Sequence, residues 1–113
     1  MELSAALQRA ITQFNAGEFF DCHETLEPLW LAASGEERAF LHAFIQLAAA
    51  LHHHQRGNRR GAHSVSQRAL QKLNSLPLHP LSHLNEMLNA FFAALPASAT
   101  TYPQITLNYE YQT

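Results

Sequence analysis

His23 and Glu27 stand four residues apart in the segment EFFDCHETLEPLW, where a helix packed on a core should be burying only apolar side chains. At that spacing two side chains lie beside one another on a helix. An imidazole and a carboxylate so placed can chelate a divalent ion. Alternatively, the carboxylate can orient and charge-stabilise the imidazole as a general base. A third reading is purely structural, a buried hydrogen-bonded pair tying this helix to the next. Glu24 adds a second carboxylate at the border of the same face. The HETLE pattern is not that of a zinc-protease helix, which needs a second histidine where Glu27 stands, nor is it the Glu-x-x-His order of ferritin-like carboxylate proteins. A mixed His/carboxylate site can still be completed from another helix.

At about 100° per residue, Phe19, Cys22, Leu26, Leu29, Trp30 and Ala33 form one apolar arc, with His23 and Glu27 on its flank and predicted to point inward. Pro28 cannot donate to the carbonyl of Glu24, and its ring crowds that carbonyl, so a kink is expected beside the pair. In the following helix, Gln46 lies within FIQLAAALHH, where a buried amide must find partners or cost about 1–3 kcal/mol. His42, Gln46, Ala49 and His53 form one stripe of that helix, either a second packing face with polar groups in it or a solvent face. His52 shares the apolar face of Leu41 and Ile45 and is expected in the core, and His54 is expected to face solvent. The resulting site places His23, Glu24 and Glu27 opposite Gln46 and His53, with Trp30 as an apolar wall. His23, Glu27 and His53 are the candidate ligands of a divalent metal or small molecule, and Glu24 or Glu27 is the candidate catalytic ligand or base of a hydrolytic reaction.

The elements that must position these groups are all helical. Leu3, Leu7, Ala10, Ile11 and Phe14 recur at helical spacing over about residues 2–14, closed by Asn15 and Gly17. The second helix covers about 18–33. Ser34-Gly35-Glu36-Glu37 reads as a capping box opening a third helix over about 35–56, which ends at Gly57. This third helix is central, since its apolar residues cover more than half of its circumference. Asn58 is placed to cap a fourth helix over about 59–75, and Gly61-Ala62 reads as a site of close helix packing. Leu81, Leu84, Leu88, Phe91 and Leu95 predict a fifth helix over about 81–95, and the period-2 pattern of Ile105, Leu107, Tyr109 and Tyr111 predicts an extended arm over 100–113. The expectation is an all-α, single-domain compact bundle of about five helices with an extended C-terminal arm.

Composition narrows the function classes. Hydrophobic residues make up 47% of the 113 and charged residues 14%, which leaves little strongly solvated surface and suggests a homo-oligomer interface. The net charge of −2 argues against nucleic-acid binding as the main task, although Arg56, Arg59 and Arg60 surround the helix start at Asn58, a geometry that can hold an anion. Surface arginines near a helix C-terminus are the plainer reading of that cluster. Cys22 is the single cysteine, so an internal disulfide is impossible, in keeping with a cytoplasmic protein. The opening residues lack the basic-then-apolar pattern of a signal peptide, and no stretch reaches the roughly 18 apolar residues of a membrane span. A non-enzymatic interaction module, whose polar cluster fixes helix register and whose apolar faces form a homodimer, is the alternative to a ligand site.

Three blocks in order, FNAGEFFDCHETLEPLW, FLHAFIQLAAALHH and RGNRRGA, resemble the small helical family known only as domain of unknown function three-zero-nine. The resemblance covers roughly residues 11–76 and implies an all-helical bundle with no established activity. Transferred residue by residue, it points to Asn15, Gly17, His23, Glu24, Glu27, Trp30, Gln46, His53, Gly57, Asn58 and Gly61. It favours His53 over the neighbouring histidines. His42 stands where the family pattern implies glutamine.

Overall fold

Ser4 opens the chain's first helix, its hydroxyl accepting from the Leu7 amide at 3.1 Å, so that α1 runs Ala5–Asn15. The structure is a computed structural model that describes residues 4–76 together with Ala90. The expected fifth helix and extended arm lie outside the described residues, apart from Ala90, which is helical. Three further helices follow: α2 Phe19–Ala32, α3 Gly35–Gln55 and α4 Arg59–Ser75. No strand occurs among the described residues, and no helix there is long and apolar enough to cross a membrane. The chain is all-α, as its periodicity requires.

Two glycine turns fold it back on itself. Gly17 adopts φ +77°, the Glu18 amide donates to the Gln13 carbonyl at 2.9 Å, and the Gly17 amide donates to the Phe14 carbonyl at 3.1 Å. This Schellman pattern satisfies the last carbonyls of α1. It recurs at the end of α3, where Gly57 has φ +84°, the Asn58 amide donates to the His53 carbonyl at 2.9 Å and the Gly57 amide to the His54 carbonyl at 3.1 Å. The Gln55 amide nitrogen then donates to the Gly17 carbonyl at 2.9 Å, binding the two turns together at one end of the bundle. Thr25 donates to the Gln13 side chain at 2.7 Å and joins α2 to α1.

α3 is the hub. It packs against α2 on one side and α4 on the other, and α2 packs against α1. Phe40, Leu41, Ala43, Phe44, Ile45, Leu47, Ala48, Ala50 and Leu51 are all buried. Phe44 meets Phe14 edge-on, with ring centroids 5.6 Å apart, and Phe14 meets Phe19 in the same way at 5.3 Å, so one aromatic chain crosses α1, α2 and α3. Edge-to-face rings add about 0.5–1.5 kcal/mol per pair beyond the area they bury.

Two local expectations are corrected. Ser34 makes no side-chain capping bond, because Gly35 at φ +60° carries the turn from α2 into α3 in its place. Gly61 serves the cap rather than helix packing: Asn58 Oδ1 accepts from the Gly61 amide at 3.0 Å, and a Cβ on Gly61 would fall 2.6 Å from the Asn58 side-chain amide. α2 continues through Pro28, whose missing N–H removes the bond that would close on the Glu24 carbonyl.

Burial of Cys22 pushes its thiol up to about 12. The folded chain should therefore leave dithionitrobenzoate unreacted at mildly alkaline pH and release one equivalent on denaturation; rapid reaction of the native protein would contradict this packing. The cap at Asn58 makes a second, sharper prediction. Gly61→Ala should destabilise the wild type by about 1 kcal/mol by displacing the cap. In an Asn58→Ala background it should be neutral or stabilising, because alanine then contributes only its helix preference. Urea unfolding of the four proteins reads the difference, and equal effects in both backgrounds would refute the account.

Candidate functional site

Two ring contacts set the register between α2 and α3. Trp30 stacks on His42 at 5.1 Å with planes 17° apart, and Phe20 approaches His52 at 6.1 Å. Ten residues back along α2 thus correspond to ten forward along α3. His23 comes level with Ala49, and Gln46 comes level with the turn at Leu26 and Glu27. This antiparallel register follows from the short Ala33-Ser34 connection, which leaves the two helices no alternative to lying side by side.

His23, Glu24 and Glu27 each present a ligand atom such that all three atoms lie within 4.8 Å of one another. His23 Nδ1 is 3.3 Å from Glu24 Oε1, the only ion pair among the described residues. Neither His23 nor Glu27 belongs to the buried core; they stand at its rim, with the His23 side chain 34% exposed. The inward direction expected from the helical arc is therefore corrected. His23 is at the arc's edge, half-buried and lining the cleft between α2 and α3. The buried hydrogen-bonded pair is also corrected, since the close partner of His23 is Glu24 and the contact is exposed.

Beside His23 opens a cleft of about 200 Å³ lined by Phe19, Phe20, His23, Ala49, His52 and His53. The structure thus brings His23 and His53 to one cavity, with Ala49 of the α3 stripe but without His42 or Gln46. His52 lines the same cavity rather than entering the core: it is only half-buried, with its ring facing Phe20 across the cleft. His54 is also half-buried rather than solvent-facing. Gln46 does not line the cleft. Its Oε1 is buried without a hydrogen-bond partner, one turn of α3 before Ala49. Asn58 serves the frame: its side-chain Oδ1 caps α4 by accepting from the Gly61 amide, and its backbone N–H donates to the His53 carbonyl.

Trp30 is not a wall of this cleft. It lies about two turns further along α2, where its indole stacks on His42 and carries the Arg38 guanidinium 5.0 Å from the ring centroid. Lys72, from α4, approaches His42 Nδ1 at 2.7 Å. Burial, then the charges of Lys72 and Arg38, hold the His42 imidazole below the usual histidine range. Spacing does not single out Phe20, Arg38 or Lys72, and it assigns His52 to the core rather than to the site. Arg38 and His42 are four apart, a signal of the same kind that drew attention to His23 and Glu27.

An ion bound by imidazole and carboxylates sits about 2.0–2.2 Å from each donor, so its ligand atoms are at most about 4 Å apart. The ligand atoms of His23, Glu24 and Glu27, all within 4.8 Å of one another, are spaced slightly wider than that. The three residues come from one and a half turns of a single helix and share its outer surface with the cleft.

Residues 7–65 match the family described as "Domain of unknown function (DUF309)". The chain is also similar to an uncharacterised protein of Bacillus subtilis (strain 168), YpuF, at 36% identity over 67 residues, which is 58% of this chain and 38% of that protein. The chain thus spans well under half the length of this curated relative. The matched region contains α2, α3 and the Gly57–Gly61 turn, and with them every residue of the cleft and of the His23 cluster. The chain belongs to the DUF309 family.

Proposed function

We propose that His23, Glu24 and Glu27 bind a divalent cation at the mouth of the cleft, with His53 as the ligand contributed by α3. The observation that carries this reading is the convergence of one imidazole and two carboxylates within 4.8 Å of one another, next to a cavity that a second histidine lines. A mixed nitrogen and oxygen donor set suits zinc, manganese or ferrous iron rather than the all-oxygen preference of calcium. Such an ion would lower the pKa of a bound water, and a carboxylate oxygen of Glu24 or Glu27 that is not bonded to the ion would be placed to take the proton. The reaction class is then hydrolysis of a small substrate held in the apolar cleft.

A second reading rests on a different observation. Phe20 and Leu31 are exposed at 59% and 58%, and with Glu24 and Glu27 they occupy one outer stripe of α2. A second copy of the chain covering this stripe would make the chain a homodimeric interaction module.

Isothermal titration of chelator-treated protein with zinc and with manganese separates the two. The metal reading expects about one ion per chain, with His23→Ala and Glu27→Gln each weakening binding by about tenfold or more, while His54→Ala leaves it unchanged. Absence of binding, or equal effects of all three variants, would overturn it. For the dimer, light scattering should give twice the monomer mass for the wild type and the monomer mass for Phe20→Glu with Leu31→Glu. A monomeric wild type removes the second reading.

A further inference from the structure

Trp30, Arg38, His42 and Lys72 converge from α2, α3 and α4 at the end of the α3 stripe away from the cleft. None of them belongs to the His23 cluster. Arg38 and Lys72 are permanent cations, yet no carboxylate pairs with either among the described residues, where the only ion pair is that of His23 with Glu24. Arg38 reaches no closer polar atom than the Ala33 carbonyl, 3.5 Å from Nη1, which leaves most of its guanidinium fork free. The Lys72 ammonium donates one of its three protons to His42 Nδ1 at 2.7 Å. That contact fixes the tautomer: Nδ1 accepts, so the imidazole is neutral and its proton sits on Nε2 as a further donor. The depressed basicity of His42 agrees with this assignment.

The group therefore presents donors alone: the fork of Arg38, two ammonium protons of Lys72 and one imidazole N–H. Arg38 over the indole and Lys72 on the His42 ring are like charges on stacked neutral rings, and no carboxylate among the described residues pairs with either. A planar fork and a point charge on neighbouring helices are the pair of cations that recognise phosphate oxygens. We propose that Arg38, His42 and Lys72, ordered around the Trp30 indole, form a binding site for a small dianionic oxyanion of the phosphate class. The two charges balance a dianion, and the Arg38 side chain is held over the indole before any ligand arrives, which lowers the ordering cost.

Trp30 is the single tryptophan, so its fluorescence reports directly on the site. The full chain is titrated with sodium phosphate, against sodium chloride at matched ionic strength. Chelator is present throughout, so that an ion at His23 and Glu27 makes no contribution. The expected result is a saturable change in Trp30 emission and a rise in melting temperature with phosphate alone. Arg38→Met and Lys72→Met should each weaken binding about tenfold or more, the effect of losing one charge-assisted hydrogen bond. Arg38 is exposed, so its replacement leaves the core intact and keeps the test open if Lys72→Met fails to fold. An identical response to chloride, or to phosphate in both variants, would overturn the proposal. A salt-dependent response to a single-stranded oligonucleotide without one to phosphate would overturn it in favour of a nucleic-acid surface.

Discussion

Burial of α3 is the constraint on which the rest of the structure depends. Nine of its side chains are buried, and they are spread so widely around the axis that no single partner helix can cover them. α2 and α4 must flank it on two sides, and α1 closes the core from beyond α2. Each fully buried phenylalanine or leucine contributes about 1.5–3 kcal/mol, so a partner that failed to cover its share would forfeit several such terms at once. What remains of α3 is one lane between α2 and α4, and every polar side chain in the middle of the helix lies in it. His42, Gln46, Ala49 and His53 line this lane because it is the one strip that packing leaves half-open. Site position is thus a by-product of core geometry.

The two Schellman turns then decide what faces what along the lane. They bring the start of α2 and the end of α3 to the same end of the bundle, and the Gln55 bond to Gly17 holds them there. His23 and His53 meet for that reason. Several positions that the family pattern marks are frame rather than site. Gly17 and Gly57 supply the left-handed backbone, and Asn58 ties the His53 carbonyl and caps α4. Gly61 leaves room for the Asn58 amide. A histidine followed four residues later by Gly-Asn is, in physical terms, a ligand candidate followed by the turn that fixes its backbone.

Much of this was legible in the residues. The bounds of α2, α3 and α4 fall within a residue of those that periodicity, Gly57, Asn58 and the proline at 77 imply, because strong punctuation at both ends leaves little choice. The α3 stripe was legible too, since small and polar residues at helical spacing mark whichever strip is not core. Rotation about the helix axis at the margins was not. His23, Glu27 and His52 all lie at the edge of an apolar arc, where the direction of a side chain depends on how far the neighbouring helix reaches. That reach is set by turn geometry at Gly17 and Gly35. Trp30 illustrates a further limit. The apolar arc correctly turns it toward α3, but which residue it meets depends on the antiparallel register, and register is a property of two helices together.

That register also keeps opposite charges apart. His23 and Trp30 are seven residues apart on α2, about 10 Å along the axis, so the carboxylate cluster and the Arg38–Lys72 pair occupy successive segments of one groove. Were Glu27 to reach Arg38, each would neutralise the other, and both clusters would be reduced to an ordinary surface ion pair contributing under about 1 kcal/mol. Instead Arg38 is drawn over the indole and Lys72 onto the His42 ring, neutral partners, and no carboxylate among the described residues pairs with either cation. The acids meanwhile gather around His23. Between the two groups lies Gln46, a neutral amide whose oxygen is buried without a partner. A lysine or glutamate at that point would pair with one cluster or the other and erase the separation. A neutral residue there keeps the carboxylates near His23 and the cations near Trp30 in separate groups along α2 and α3.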